Sequence, residues 1–184
     1  DTSKSSRRGG WRRAGRRVQP TALWLLCQSA RQESSIVVRI SISLAEQRLR
    51  LLDDCGRVVS AYPVSTASKG AGEERGSYCT PRGAHLVRAK IGKGLAANTV
   101  FVARRPTGES YTPQLGEQFP GRDWILTRIL WLSGREPGRN RLGSVDTMRR
   151  YVYIHGSPDS AEIGTPGSHG CIRMRNADIV DLFD

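Results

Sequence analysis

Short runs of alternating apolar and polar residues, separated by turn residues, recur along most of this chain. In IVVRISIS, residues 36–43, positions 36, 38, 40 and 42 are all isoleucine or valine. RLRLL at 48–52 alternates again, DDCG at 53–56 supplies turn residues, and RVVSAYPVST at 57–66 returns as a further strand. A period of two residues is that of a half-buried strand, so this order predicts a β-meander.

Strands are also predicted along the rest of the chain, without long helices between them. They lie within residues 80–92, 99–105, 123–133 and 151–156, and an exposed loop rich in glycine and serine is predicted at 67–77. The segment 123–133, DWILTRILWLS, is rich in β-branched and aromatic residues, which favours a strand over a helix. Consecutive strands without long helices argue against a doubly wound parallel sheet and predict a mainly β domain.

Two short helical segments are predicted near the end of the chain. The first, at 144–151, begins with Ser144 as its N-cap, and the second begins with Asn176 in the same role. The apolar residues of the second segment recur at helical spacing: Ile179, Val180 and Phe183. Because the sequence stops within that pattern, we expect the domain to be truncated at its C-terminal end.

The basic residues of the 184-residue chain are unevenly placed. Residues 1–20 carry seven Lys or Arg against Asp1, which gives half of the net charge of +12. Such a segment has little to bury, so we predict a disordered basic segment at 1–34 and one folded domain at 35–184. The charge suits an anionic partner, but Trp11 is the only aromatic residue among the first twenty, so we expect no nucleic acid.

The sequence predicts no targeting segment and no membrane span. TALWLLC at 21–27 contains six apolar residues, fewer than the ~7–15 of a signal peptide. No run approaches the ~20 apolar residues of a membrane helix. Cys27, Cys55, Cys79 and Cys171 form no CxxC pair, and a nucleophilic cysteine has to stay reduced. We therefore expect a reducing, cytoplasmic location, with the cell envelope as the alternative, and the oligomeric state stays open.

A cysteine and two histidines near the end of the chain are the residues best suited to chemistry. His155 and His169 are each followed by glycine, and both lie within sixteen residues of Cys171. A neighbouring imidazole can take the proton of a thiol that is mostly protonated at neutral pH. In an extended segment His169 lies ~6.5–7 Å from Cys171, too far for a direct hydrogen bond. The residues therefore favour His155, from a separate strand, as the base, and they leave His169 open.

Other arrangements of these residues are also consistent with the sequence. Gly170 and Cys171 supply adjacent backbone N–H groups, from which an oxyanion hole is commonly built. A zinc site could use His155, His169 and Cys171, with Cys79, His85 or water as the fourth ligand. No compact ligand pair supports zinc, so we expect no metal, and His85 is expected on a strand face. A buried structural cysteine with hydrogen-bonded histidines is the third arrangement.

The stretch YIHGSPDSAEIGTPGSHGCIRMRNADIVDLFD resembles the L,D-transpeptidase family, or YkuD domain. That family carries a His followed by Gly or Ser, a loop, then Ser/Thr-His-Gly-Cys, a small apolar residue and Arg. The matching residues here are His155, Gly156, Ser168, His169, Gly170, Cys171, Ile172 and Arg173. ISLAEQRLRLLDDCGRVVSAYPVSTAS and CTPRGAHLV resemble earlier parts of the family, so the resemblance covers residues 36–184. Met174, where many members carry Asn, and the lack of a C-terminal strand depart from the family pattern.

The resemblance implies a single β-sandwich-like catalytic domain with short helices and no cofactor. Family members cleave the L,D bond before the terminal D-Ala of a peptidoglycan tetrapeptide stem. By resemblance, Cys171 is the nucleophile, His155 is the general base, and the carbonyl of Gly156 orients the imidazole. The remaining matches would form the oxyanion hole and its support: the N–H groups of Gly170 and Cys171, with Ser168, His169 and Arg173. Arg173 is a candidate for fixing the loop or for binding a substrate carboxylate.

Two functions follow from this resemblance, and a third follows from the arginine-rich segment at the start of the chain. The first is a transpeptidase, in which an amine attacks the Cys171 thioester and forms a cross-link. The second is an L,D-carboxypeptidase of cytoplasmic muropeptide recycling, which residues 101–151 also resemble and in which water attacks instead. Both take peptidoglycan stem peptides or muropeptides as partners. The third is a catalytically silent protein that binds an anionic polymer, which the presence of both Cys171 and His155 disfavours.

Overall fold

The computed structural model describes residues 38–184. The predicted basic segment 1–34, including its disorder, and residues 35–37 lie outside the described residues. Within the described range are nine strands, two short α-helices and a 3₁₀ turn. In chain order they are β1 (Arg39–Ser43), β2 (Arg48–Leu52), β3 (Val58–Pro63), β4 (His85–Ile91), β5 (Thr99–Val102), β6 (Arg105–Ser110), α1 (Pro113–Gln118), β7 (Ile125–Gly134), the 3₁₀ turn (Gly143–Val145), β8 (Tyr153–Ser157), β9 (Ile172–Arg175) and α2 (Asn176–Phe183).

The strands form two sheets, which confirms the mainly β fold class. Strands β1, β2 and β3 form an antiparallel meander, as the alternating segments at the start of the domain predict. The second sheet has the order β6-β5-β7-β8-β9, and β4 also pairs with β7. The long strand β7 is therefore central to this sheet, which agrees with its apolar composition. Neither helix is long and apolar enough to cross a membrane within the part of the chain described.

The main core joins the meander to the larger sheet and to α2. The residues of this cluster are Leu49, Tyr62, Val64, Leu130, Leu132, Val152, Ile154, Ile172, Met174, Ile179 and Phe183. Met174, the departure from the family pattern, is fully buried here. Because side chains alternate along a strand, the odd-numbered residues of β8 and β9 face the opposite side of the sheet. That opposite side carries the candidate site.

The pairing of β8 with β9 positions the site residues. These two strands are parallel, and their register places Ile154 opposite Ile172 and His155 opposite Arg173. A parallel pair needs a connection that returns the chain to the starting end of the strand, and residues 158–171 form it. The connection therefore delivers Cys171, immediately before β9, to the side of β8.

Several local predictions differ from the structure. Ser144 lies within the 3₁₀ turn and is not an N-cap, and the carboxylate of Asp146 instead accepts from the backbone N–H of Arg149 at 3.0 Å. Asn176 is the first residue of α2, and Arg175 occupies the cap position. The side chain of Asn176 is used in tertiary contacts, which a local capping rule does not take into account.

The region after β5 was also predicted incompletely. Residues 99–105 were expected to form one strand, but the chain reverses at Ala103 and Arg104 and continues as β6. Helix α1 was not predicted. It begins at Pro113 after Thr112, whose hydroxyl accepts from the N–H of Leu115 at 3.2 Å. A short helix with no buried residues has no apolar periodicity, so the sequence pattern does not reveal it.

Candidate active site

His155 lies in the middle of the buried strand β8, and its side chain is fully buried. Its Nδ1 is 2.8 Å from the carbonyl oxygen of Gly156. A carbonyl only accepts, so Nδ1 carries the proton and Nε2 is left with a lone pair. Nε2 has no hydrogen-bond partner among residues 38–184. Burial lowers the pKa of His155, while the bond to Gly156 opposes that shift, so the ring is a neutral base at neutral pH.

Gly156 is a position where the surrounding structure requires glycine. A Cβ there would lie 2.5 Å from Oδ1 of Asn176 and 2.8 Å from the carbonyl oxygen of Leu126. Both neighbours are fixed, because the hydroxyl of Thr127 donates to Oδ1 of Asn176 at 2.5 Å within an irregular part of β7. This close packing holds the carbonyl of Gly156 against the imidazole of His155.

Cys171 is half-buried, and backbone groups of Tyr151 and Tyr153, just before and at the start of β8, bond to its thiol. Sγ accepts from the N–H of Tyr153 at 3.4 Å and donates to the carbonyl oxygen of Tyr151 at 3.6 Å. Burial raises the pKa of the Cys171 thiol to about 12, although the Tyr153 N–H opposes that rise. The resting group is therefore a neutral thiol and not a thiolate.

The sheet register places Cys171 and His155 on the same face. Arg173 pairs with His155, so these two side chains share one side of the sheet. Cys171 packs against the apolar cluster that contains Tyr153, whose side chain lies on that same side. Residues 169–171 form a bend instead of the extended segment that the sequence predicts. The thiol bonds to backbone and Nε2 has no partner, so no preformed ion pair links the two groups. The thiol of Cys171 and the imidazole of His155 are therefore both neutral, and a neutral imidazole is able to accept the proton of a thiol.

Ser168 holds the bend that contains Cys171. Its buried hydroxyl donates to the carbonyl oxygen of Cys171 at 2.5 Å and accepts from the N–H of Gly170 at 3.2 Å. The carbonyl oxygen of Gly170 in turn accepts from the hydroxyl of Thr80 at 3.1 Å. The predicted use of the Gly170 N–H in an oxyanion hole does not match this arrangement, because that N–H is already bonded. Of the two predicted donors, the N–H of Cys171 remains.

Arg173 fixes the loop before the bend. It donates to the carbonyl oxygen of Gly167 at 3.0 Å and forms an ion pair with Asp123 at 2.6 Å. Of its two predicted roles, loop support is the one that these contacts show. A pocket of about 480 Å³ lies beside this ion pair and is also lined by Trp124 and Ser157.

The other two histidines have different surroundings. His169 is exposed on the bend, and its ring meets the ring of Tyr78 edge-on, with centroids 6.1 Å apart. His85 begins β4, as predicted, and its ring nitrogens lie 2.9 Å from the Gly83 carbonyl oxygen and 3.0 Å from the Thr147 hydroxyl. Each of these two rings therefore has a local structural partner.

The zinc arrangement does not match the structure. Among residues 38–184, the one group of three candidate ligand atoms within 4.8 Å of one another belongs to Asp53, Asp54 and Cys55, in the turn between β2 and β3. His155, His169 and Cys171 do not form such a group. The sequence motif brings these residue types close along the chain, but the bend points His169 towards Tyr78.

Sequence reasoning missed the residues that surround Cys171 from outside the motif. Tyr151 and Tyr153 were treated only as parts of a strand, although their backbone groups hold the thiol. Arg150 was not singled out, yet its guanidinium donates to the carbonyl oxygen of Cys79 at 2.6 Å and its charge lowers the pKa of Cys171. The position of Tyr153 two residues before His155 was the available signal, since the two share a strand face.

One comparison with known proteins, that with family models, agrees with the residue pattern. A family model for the L,D-transpeptidase catalytic domain, YkuD, matches residues 37–184. Solved structures similar to this chain include an L,D-transpeptidase from Xylanimonas cellulosilytica, with 23% identity, a TM-score of 0.45, and coverage of 83% of this chain and 56% of that one. No curated protein sequence matches significantly.

Two further structures are similar to a comparable extent. The LD transpeptidase LdtMt1 in complex with imipenem has 18% identity and a TM-score of 0.47, and the match covers 81% of this chain and 54% of that one. An L,D-transpeptidase from Mycobacterium smegmatis has 17% identity and a TM-score of 0.43, with coverage of 80% and 53%. The chain therefore spans little more than half the length of these structures.

Proposed function

This chain belongs to the YkuD family of L,D-transpeptidase catalytic domains, and on that premise we propose that it is a cysteine acyltransferase of peptidoglycan. Its substrate is the tetrapeptide stem, and it cleaves the L,D bond before the terminal D-Ala through a thioester on Cys171. The observation that carries the proposal is the placement of Cys171 and His155 on one sheet face, with Nδ1 of His155 bonded to Gly156 and Nε2 unbonded.

The first half of the reaction forms the acyl-enzyme. Sγ of Cys171 attacks the diaminopimelate carbonyl carbon while Nε2 of His155 accepts the thiol proton. The peptide C–N bond then breaks, and His155 passes that proton to the departing amine of D-Ala. Because both groups begin neutral, the imidazolium exists only while negative charge is present on the reacting atoms, and the Gly156 carbonyl stabilises it.

The second half of the reaction decides between the two enzymatic outcomes. An acceptor amine that attacks the thioester restores the thiol and leaves a cross-link. Water that attacks instead leaves a tripeptide, which is the carboxypeptidase outcome. We propose cross-linking as the main reaction. The cross-linked product and the tripeptide differ in mass and can therefore be distinguished.

An assay of D-Ala release tests this proposal. The purified protein is incubated with a tetrapeptide stem, with and without a second stem as acceptor, and the products and intact protein are analysed by mass spectrometry. We expect D-Ala release, a thioester adduct on Cys171, and a cross-linked dimer when the acceptor is present.

Two cysteine variants control this assay. Cys171→Ala removes the nucleophile and is expected to abolish release, whereas Cys55→Ala, in an exposed turn, leaves it intact. Tripeptide alone, even with the acceptor present, would support the carboxypeptidase. No release, together with a Cys171 that β-lactam acylating agents do not modify, would refute the enzyme and favour the silent binding protein.

A further inference from the structure

A positively charged side chain is held against three aromatic rings beside the candidate nucleophile. The guanidinium carbon of Arg104 lies 4.4 Å from the ring centroid of Trp131 and 4.9 Å from that of Tyr151. Its Nη1 donates to the hydroxyl of Tyr153 at 3.1 Å. We call these four residues the Arg104 cluster. Stacking on two rings and one hydrogen bond fix the orientation of the guanidinium.

The Arg104 cluster is connected directly to Cys171. Tyr151 and Tyr153, whose rings contact Arg104, are also the residues whose backbone groups bond to Sγ of Cys171. The ring of Trp131 packs against both tyrosine rings, with centroids 6.5 Å and 6.4 Å away. Tyr153 therefore links the two groups, because its backbone N–H bonds to the thiol and its hydroxyl bonds to Arg104.

The backbone that carries Arg104 is strained. Ala103 and Arg104 form the two-residue loop between β5 and β6, with φ of +48° and +68°. Such hairpin turns favour asparagine and glycine, because other residues adopt positive φ less readily. The contacts of the Arg104 side chain with the aromatic rings help to hold this residue in the turn. Strain of this kind is found preferentially at sites that bind ligands.

Arg104 has no acidic partner among residues 38–184, since none of the ion pairs there includes it. Within the same range, one of its five N–H donors is used, by Tyr153. The side chain is only half-exposed, so its charge is less screened by water than that of a surface arginine. A guanidinium with several unused donors binds a carboxylate through two parallel hydrogen bonds.

We propose that Arg104 binds the terminal carboxylate of the D-Ala residue that leaves during the reaction. This inference rests on the proposed function, in which Cys171 attacks the carbonyl before that residue. The terminal carboxylate lies one residue beyond the attacked carbonyl, a span of at most about 3.6 Å. In the proposed binding mode that residue extends from Sγ towards the Arg104 cluster. A cation there distinguishes a free chain end from an internal peptide bond, which carries no charge.

Binding of two ligands that differ in one charge tests the proposal without turnover. Calorimetry on the Cys171→Ala protein compares the tetrapeptide stem with its C-terminal carboxamide. We expect the acid to bind about 10–100-fold more tightly than the carboxamide, as is usual for a hydrogen bond to a charged group. Adding Arg104→Gln should remove that preference, because it lowers the affinity for the acid and leaves the affinity for the carboxamide unchanged.

Arg105→Gln is the matched control, because it removes one positive charge from an exposed neighbour on the same hairpin. It should keep the preference. Equal affinity of the Cys171→Ala protein for acid and carboxamide overturns the proposal. An equal loss of affinity for the two ligands in Arg104→Gln overturns it as well. The comparison of ligands on the protein that retains Arg104 does not depend on how the variant folds.

The same ligands separate this inference from the proposed function. A preference for the acid that Arg104→Gln abolishes, in a protein that releases no D-Ala, would support the carboxylate site and refute the acyltransferase. Release of D-Ala from the acid stem and of D-alaninamide from the carboxamide stem at equal rates would support the acyltransferase and overturn the role of Arg104.

Discussion

His155 and His169 both lie near Cys171 in the sequence, but their structural environments are opposite. His155 is fully buried on β8, with Nδ1 bonded to the carbonyl of Gly156 and Nε2 without a partner among the described residues. His169 is exposed on the bend before β9, and its ring rests against Tyr78. The histidine that is nearer to Cys171 along the chain is thus the one whose ring is not oriented by a backbone hydrogen bond within the described part of the chain.

The difference shows that strand pairing, rather than sequence distance, decides which histidine shares a sheet face with this cysteine. His155 shares its sheet face with Cys171 because β8 and β9 are parallel in one register. Neighbouring residues also fix the rotamer of a side chain on a buried strand, whereas they do not fix the rotamer of an exposed ring on a bend. Three changes break or sharpen this comparison.

The largest effect is expected from exchanging the two histidines separately for glutamine. His155→Gln removes the base and should lower D-Ala release by about 10²–10⁴-fold, the usual contribution of a general base. His169→Gln removes only a ring contact with Tyr78 and should change release by no more than a few-fold. The initial rates of D-Ala release measure both. A larger loss in His169→Gln than in His155→Gln would reverse the assignment of the base.

A smaller effect is expected from Gly156→Ala, which disturbs His155 without replacing it. The new Cβ would collide with Asn176 and Leu126, and such overpacking typically costs about 1–3 kcal/mol of unfolding free energy. The displaced carbonyl no longer orients the imidazole, so D-Ala release should fall by up to about 10²-fold. Denaturant unfolding and the release assay measure the two effects.

Gly121→Ala is the control for Gly156→Ala, because a Cβ at 121 meets no atom within 4 Å and no positive φ is required there. It should leave both stability and D-Ala release near those of the parent protein. If Gly156→Ala behaves like Gly121→Ala, close packing behind Gly156 does not orient His155.

The smallest effect concerns the pH dependence. Burial lowers the pKa of His155 from its ordinary value of 6.5, so kcat/KM should fall only when the pH drops through that lowered pKa and the ring becomes protonated. The charge of Asp123 raises the pKa of His155, in opposition to burial. Asp123→Asn should therefore move the acid limb to still lower pH.

The pH profile of kcat/KM, with Asp54→Asn in an exposed turn as the control, measures this shift. An acid limb above pH 6.5 in the parent protein, or one that moves upward in Asp123→Asn, would show that another group controls the limb.

Much of the fold could be predicted from local sequence patterns. The meander, the strand β7 and the buried strand β8 all follow from alternation and composition, because half-buried and fully buried strands differ in both. The hairpin at Ala103 and Arg104 could not be predicted, since neither residue favours positive φ. The role of Asn176 was also missed, because its side chain bonds to Thr127 across the fold instead of capping its own helix.

Some features of the candidate site could be predicted from the sequence motif, and others could not. The motif supplied Cys171, His155 and Gly156, and in the structure Cys171 and His155 share one sheet face while the carbonyl of Gly156 bonds to the His155 ring. The bonded state of the Gly170 N–H depends on the rotamer of Ser168, which the sequence does not encode locally. The Arg104 cluster joins four residues from three separate segments, and no spacing rule relates them.

The sequence by itself determined the mainly β class, the residue types of the site and the family resemblance that the family model then showed. Those features depend on short contiguous stretches, and the alternation and motif spacing within such a stretch can be read directly from the order of its residues. Only the tertiary structure decided that β8 and β9 pair in parallel with His155 opposite Arg173. Register is a choice between distant segments, and a slip of one residue would turn Cys171 and His155 to opposite faces of the sheet.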